Sequence, residues 1–147
     1  MLNILLIEDS DDDAFLFERA LTGDGISSCL RRVCNGAEAV SYLEEGGNGN
    51  GNGSPFPGVL FTDIKMPKMD GFELLKWLKA DPRCSLLPVM VFSASNHHTD
   101  VEKAYRLGAN AYLVKPSSMD ELRTAVRAAH GFWSRCAKAE YQMRTRV

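Results

Sequence analysis

The stretch LLIEDSDDDAF sets five carboxylates, Glu8, Asp9, Asp11, Asp12 and Asp13, into six positions directly after an apolar run. Three more residues have types that suit the same chemistry: Asp63 closes GVLFTD, Ser93 falls within LPVMVFSAS, and Lys115 closes NAYLVK. Carboxylates gathered in one place repel one another and shift their protonation unless a counter-charge is present. A hard divalent cation is the natural counter-charge; Mg2+ takes oxygen ligands in octahedral geometry and keeps several waters. An ammonium such as Lys115 holds a phosphoryl oxygen as a point charge, and a hydroxyl such as Ser93 donates a hydrogen bond to another. A carboxylate can itself carry the phosphoryl group as an aspartyl phosphate. Acid, metal, hydroxyl and ammonium around one open space therefore suit phosphoryl transfer, where catalysis is mostly positioning and charge neutralisation.

That site exists only if the fold brings the four segments together. Five strand-like runs alternate with five helix-like runs. The strands are expected at 3–8, 27–33, 58–63, 87–95 and 110–115. The first, NILLIE, is short and apolar, as a strand covered on both faces should be, whereas SSCLRRV is less apolar and reads as an edge. Ser10 reads as the N-cap of the first helix, with Asp11, Asp12 and Asp13 in its first turn, where carboxylates favour the positive end of the helix dipole. This accounts for three of the five acids and leaves Glu8 and Asp9. The first helix is expected to end near Gly23, and Asn35 to cap the second. Asp70 with Glu73, Thr99 with Glu102, and Ser118 with Glu121 stand at capping-box spacing before the third, fourth and fifth helices. Strict alternation of strand and helix implies a doubly wound parallel sheet, α/β in class, with right-handed connections and helices on both faces. Ligands of such sheets bind outside the carboxyl ends of the strands, at the point where strand order reverses. Glu8 and Asp9, Asp63, Ser93 and Lys115 come from four different strands and all belong to that edge. Strand three should be central, which makes Asp63 the candidate phosphoacceptor and Glu8 and Asp9 metal ligands.

Size and composition are consistent with this. A chain of 147 residues, 45% hydrophobic with a formal net charge of −2, suits one domain with a core and gives no general case for nucleic-acid binding. The first apolar stretch is too short for a signal peptide, and no segment approaches the roughly 20 apolar residues of a membrane helix; a cytoplasmic location is expected. Cys29, Cys34, Cys84 and Cys136 lack CxxC spacing and read as reduced thiols, and His97 and His98 as a solvated loop. GGNGNGNGSPFP (46–57) has no side chains for a core and reads as a flexible loop.

In order and spacing, LLIEDSDDDA, FTDIKMPKMDGFELL, PVMVFSAS and GANAYLVKPSS together resemble the receiver domain of two-component response regulators, over roughly residues 2–130. The resemblance implies a flavodoxin-like sheet of strand order 2-1-3-4-5. It implies that Asp63 accepts the phosphoryl group and is itself a metal ligand, that Asp9 binds Mg2+ directly and Glu8 through water, and that the backbone carbonyl of Lys65 is a further ligand. It makes Ser93 the switch hydroxyl, Ala94 the small residue leaving room for the phosphoryl group, Lys115 the phosphate-binding lysine, often followed in the family by a cis peptide to proline (here Pro116), and Tyr112 the aromatic switch. Single-domain regulators that partner bacterial phytochromes are a closer resemblance, through the polar insertion before strand three and the Phe132-Trp133 pair late in the last helix; SRCAKAEYQMRTRV is more basic and polar than that subfamily would have.

The expected organisation is a receiver over 1–130 with residues 131–147 extending the last helix into a tail, and no output domain. The expected partners are a sensor histidine kinase, of phytochrome type on the closer resemblance, and a downstream protein or phosphotransfer partner. Leu122, Val126, Ala129, Trp133 and Cys136 recur at helical spacing, a stripe that in the simplest reading packs on the sheet; because it is expected to outlast the sheet, Phe132 and Trp133 are also read as reaching another subunit, in a homodimer through the face of helix four, strand five and helix five. No nucleic acid or membrane is expected. Single residues separate the alternatives. A haloacid-dehalogenase-type phosphatase would want an acid where Lys65 stands, and a nucleotide or flavin site would want a Gly- or Ser/Thr-rich turn where EDSDDD would repel phosphate. A phosphorylation-independent adaptor with the same fold is the remaining alternative.

Overall fold

The computed structural model describes residues 1–23, 26, 28–46 and 56–138. Its strands are β1 (Leu2–Ile7), β2 (Ser28–Val33), β3 (Val59–Thr62), β4 (Val89–Ser93) and β5 (Ala111–Val114), and its helices α1 (Asp11–Leu21), α2 (Gly36–Gly46), α3 (Gly71–Ala80), α4 (His98–Arg106) and α5 (Met119–Arg135). All strand pairs are parallel, in the order β2-β1-β3-β4-β5. The order reverses between β1 and β3, so the crevice at their carboxyl ends is the expected ligand position.

Side chains alternate across the sheet. Leu5, Ile7, Leu60, Val89 and Val91 face a core completed by Ala39 and Leu43 of α2, Leu74, Leu75 and Leu78 of α3, and Ala104 of α4. Ile4, Leu6, Phe61, Met90 and Phe92 face the other, completed by Phe17 and Ala20 of α1 and Leu122, Val126 and Ala129 of α5. Phe17 stands edge-on to Phe61 and Phe92, with ring centroids 5.0 and 5.6 Å away. Dry layers on both faces explain why the central strands carry almost no polar residues.

Most of the caps lie where the sequence places them. Ser10, Asp70 and Ser118 accept from the backbone N–H of Asp13, Glu73 and Glu121, the Asp70–Glu73 box closes in both directions, and Asn35 Oδ1 accepts from Glu38 N. The Thr99–Glu102 box does not form. α4 starts at His98 with His97 as N-cap and no side-chain cap bond, because Ser95 Oγ accepts from His97 N and donates to Asp100 Oδ2 at 2.6 Å, drawing the helix start forward. Thr99 is thereby inside the first turn, and His98 is helical rather than part of a loop; both histidines are exposed. The peptide between Lys115 and Pro116 is trans, not cis. Of the expected 46–57 loop, Gly46 ends α2, Phe56 packs against the core and Pro57 is buried, while 47–55 lie outside the described residues. Trp133 packs on the core of its own chain and donates Nε1–H to Met90 Sδ at 2.7 Å, so only Phe132 of the pair is turned outward, 61% exposed. No disulfide joins any of the four cysteines among the described residues. No helix among the described residues is long and apolar enough to cross a membrane.

Candidate functional site

The polar residues follow their strands by a step or two and are held there by single ladder bonds. Glu8 N donates to Val33 O, Asp63 N to Ile7 O, and Lys115 N to Ser93 O. The bonds carry the sheet one residue past β1, β3 and β5 and fix where each side chain leaves the edge. The turn after Asp63 is closed by Gly71 N donating to Ile64 O. A Cβ at Gly71 would run into the Asp63 carbonyl, so only glycine allows α3 to start this close to the site.

Glu8, Asp9 and Asp63 each offer a carboxylate oxygen within 4.8 Å of the others. Glu8 is buried, Asp63 half-buried and Asp9 exposed, so the group is dry at its base and open at its mouth. The Lys115 ammonium reaches in from β5 and donates to Glu8 Oε1 at 2.7 Å, Asp13 Oδ2 at 2.8 Å and Asp63 Oδ2 at 2.9 Å. Asp63 Oδ1 accepts from Ile64 N at 2.6 Å. Burial pushes the Glu8 carboxyl up from its ordinary range; Lys115 and the Ser10 N–H pull it back only in part, and the Asp63 charge pushes it further. Burial would lower the Lys115 pKa, but its bonds to Asp13, Glu8 and Asp63 outweigh that and raise it, so the ammonium stays charged. Three oxygen donors converging with a single ammonium among them fit a hard divalent cation.

On the far side of the crevice, Ser93 is buried and its Oγ accepts from Ser95 N at 3.2 Å. Ala94 is exposed beside it. Tyr112 is half-buried and donates its hydroxyl to Ser95 O at 2.8 Å. Lys65 is exposed in the turn after Asp63.

Sequence reasoning missed three residues. Asp13, read only as a helix-start acid, touches Lys115; no local spacing signals a contact so far along the chain. Arg32 donates Nε–H to Glu8 O at 2.8 Å and Nη1–H to Asp11 Oδ1 at 2.7 Å, tying β2 to the acidic turn. It is a cation at the end of an edge strand, beside the acids. Ser95 bonds to Ser93, Tyr112 and Asp100 at once, a connection that no local pattern announces.

The response regulator receiver domain model matches residues 4–127. The chain belongs to that receiver family. It is 33% identical over 132 residues to the probable methanogenesis regulatory protein FilR2 of Methanothrix harundinacea, covering 88% of this chain and 82% of that one. It is 33% identical over 130 residues to the response regulator Rcp1 of Synechocystis, covering 88% and 87%; the Mn2+-bound crystal structure of Rcp1 superposes with a TM-score of 0.82 at 31% identity, covering 95% and 99%. The phosphorylated cyanobacterial phytochrome response regulator RcpA superposes with a TM-score of 0.83 at 31% identity, covering 93% and 96%. By sequence and structure this receiver is close to the Rcp1 and RcpA regulators. Receivers are signalling modules rather than conventional enzymes, and they bind a divalent metal in an acidic pocket and take a phosphoryl group on an aspartate.

Proposed function

We propose that this receiver acts as a stand-alone response regulator that accepts a phosphoryl group from a histidine kinase onto Asp63 in an Mg2+-dependent reaction. The observation that carries the reading is the convergence of Glu8, Asp9 and Asp63 within 4.8 Å, with Lys115 bonded to Glu8 and Asp63. The Asp63 carboxylate oxygen attacks the phosphorus of a phosphohistidine, the P–N bond breaks, and the electron pair leaves with the imidazole nitrogen. Glu8, Asp9, Asp63 and the Lys65 carbonyl would hold the cation, which would supply charge neutralisation to the transferring oxygens. Lys115 takes one phosphoryl oxygen as a charged donor, and Ala94 leaves the room.

The response runs through Ser93. When its hydroxyl turns to a phosphoryl oxygen, Ser95 N loses its acceptor. Ser95 also holds Tyr112 and Asp100, so Tyr112 and the start of α4 shift with it, changing what the face of α4, β5 and α5 binds. The occupants of that face are a downstream protein, a phosphotransfer partner or a second copy, with Phe132 as an exposed apolar contact. The likeness to the cyanobacterial phytochrome response regulator RcpA favours a phytochrome-type kinase as donor and, with it, a cytoplasmic location.

Incubation with acetyl phosphate tests the reading by intact mass. One phosphoryl mass, dependent on Mg2+ and lost in Asp63→Asn, is expected. No labelling, under conditions that label a control receiver, returns the chain to the adaptor alternative.

A further inference from the structure

Lys115 has three N–H donors, and all three are engaged, by Glu8, Asp63 and Asp13. Two of those acceptors belong to the carboxylate group that could hold a metal; Asp13 does not. A dication entering among Glu8, Asp9 and Asp63 would draw the Glu8 and Asp63 carboxylates away from Lys115 and repel the ammonium. The single acceptor left is Asp13, in the first turn of α1.

We propose that Asp13 is a positioning residue for Lys115: it holds the ammonium at the rim while a divalent cation occupies the acidic group, and so keeps it ready for a phosphoryl oxygen. The inference rests on the metal-binding part of the proposed function. Without Asp13, the displaced ammonium would have no charged acceptor and would compete harder for Glu8 and Asp63, weakening the cation. Charge-assisted hydrogen bonds of this kind are among the stronger ones in proteins.

The neighbouring Asp12 provides a matched control. It lies in the same turn, carries the same charge and is exposed, and its replacement changes the helix dipole and long-range field in a similar way. Calorimetric titration of the full chain with MgCl2 at fixed ionic strength compares wild type, Asp13→Asn and Asp12→Asn, with melting curves recorded on each. The expected result is a dissociation constant raised about tenfold in Asp13→Asn, near the low end of what one charged hydrogen bond contributes, and no more than about twofold in Asp12→Asn. In a Lys115→Met background, Asp13→Asn should fall to the level of Asp12→Asn, because the group it positions is gone. Equal effects of the two asparagine variants, or an unchanged Asp13→Asn effect without Lys115, would overturn the proposal. A wild-type chain that binds no Mg2+ contradicts the metal reading itself, and this inference with it.

Discussion

α1 and α4 both begin at the carboxyl edge of the sheet beside the same crevice, and they are held there in opposite ways. The start of α1 has a side-chain cap in Ser10, three carboxylates on the helix dipole, and two cations bonded to those carboxylates, Arg32 to Asp11 and Lys115 to Asp13. Its body buries Ala14, Phe17, Ala20 and Leu21. The start of α4 has no side-chain cap, and the helix buries only Ala104. Its ties to the site pass through Ser95, which bonds to Asp100 of its first turn, and the Tyr105 hydroxyl accepts from the edge-strand N–H of Tyr112. One side is a charged scaffold that fixes the acids. The other has few buried contacts and an exchangeable hydrogen-bond centre, as expected of an element drawn from the less stable part of a structure. A phosphoryl group arriving between them should move α4 and leave α1 in place.

The largest difference should appear in the two helix bodies. Phe17→Ala removes a ring packed against Phe61 and Phe92 and should cost about 3–5 kcal/mol in denaturant unfolding. Ala104→Gly removes the one buried α4 side chain and should cost about 1 kcal/mol. Comparable losses would mean that α4 is as firmly seated as α1.

Lys115→Met should expose the charge balance of the scaffold. Glu8 already has a raised carboxyl pKa because of burial, and losing the ammonium removes its main compensation. A carboxyl raised in the folded state binds its proton more tightly there than in the unfolded chain. Its contribution to stability is therefore greatest at acid pH and is lost as pH rises through the folded pKa. Melting curves should place Lys115→Met closer to wild type near pH 5 than near pH 7, and added Mg2+ should narrow the gap at pH 7. A deficit that does not depend on pH would mean that Lys115 acts through packing alone.

The smallest effects test the caps. Ser10→Ala should cost about 1 kcal/mol, while Thr99→Ala, inside the first turn of α4 and exposed, should stay within about 0.5 kcal/mol. A cost at Thr99 matching that at Ser10 would place the start of α4 where the sequence pattern had put it.

That last case shows what could and could not be read in the chain. The five strands were legible because their apolar runs are bounded by Gly, Pro and Asp, and the edge position of β2 because SCLRRV is half polar. Glu8, Asp9, Asp63, Ser93 and Lys115 were legible as one edge because strand ends in a parallel sheet share a side. The start of α4 was not, because Thr99 and Glu102 have ideal local spacing while the competing acceptor, Ser95, acts from the strand side of the turn. Asp13 was assigned to the helix dipole because its contact, Lys115, lies 102 residues away. Trp133 shares the helical stripe of Leu122, Val126 and Ala129, which pointed it at the sheet; that the sheet reaches far enough to meet it, at Met90 of β4, was not legible in the periodicity.

The most direct test of the account is amide hydrogen exchange of the full chain with Mg2+, with and without acetyl phosphate, followed by peptide. The account predicts that exchange changes in peptides covering 94–106 and 111–114 and stays the same in those covering 9–21, and that Asp63→Asn shows no change anywhere. A labelled protein whose α4 peptides exchange as before, or whose change falls in α1, would contradict it.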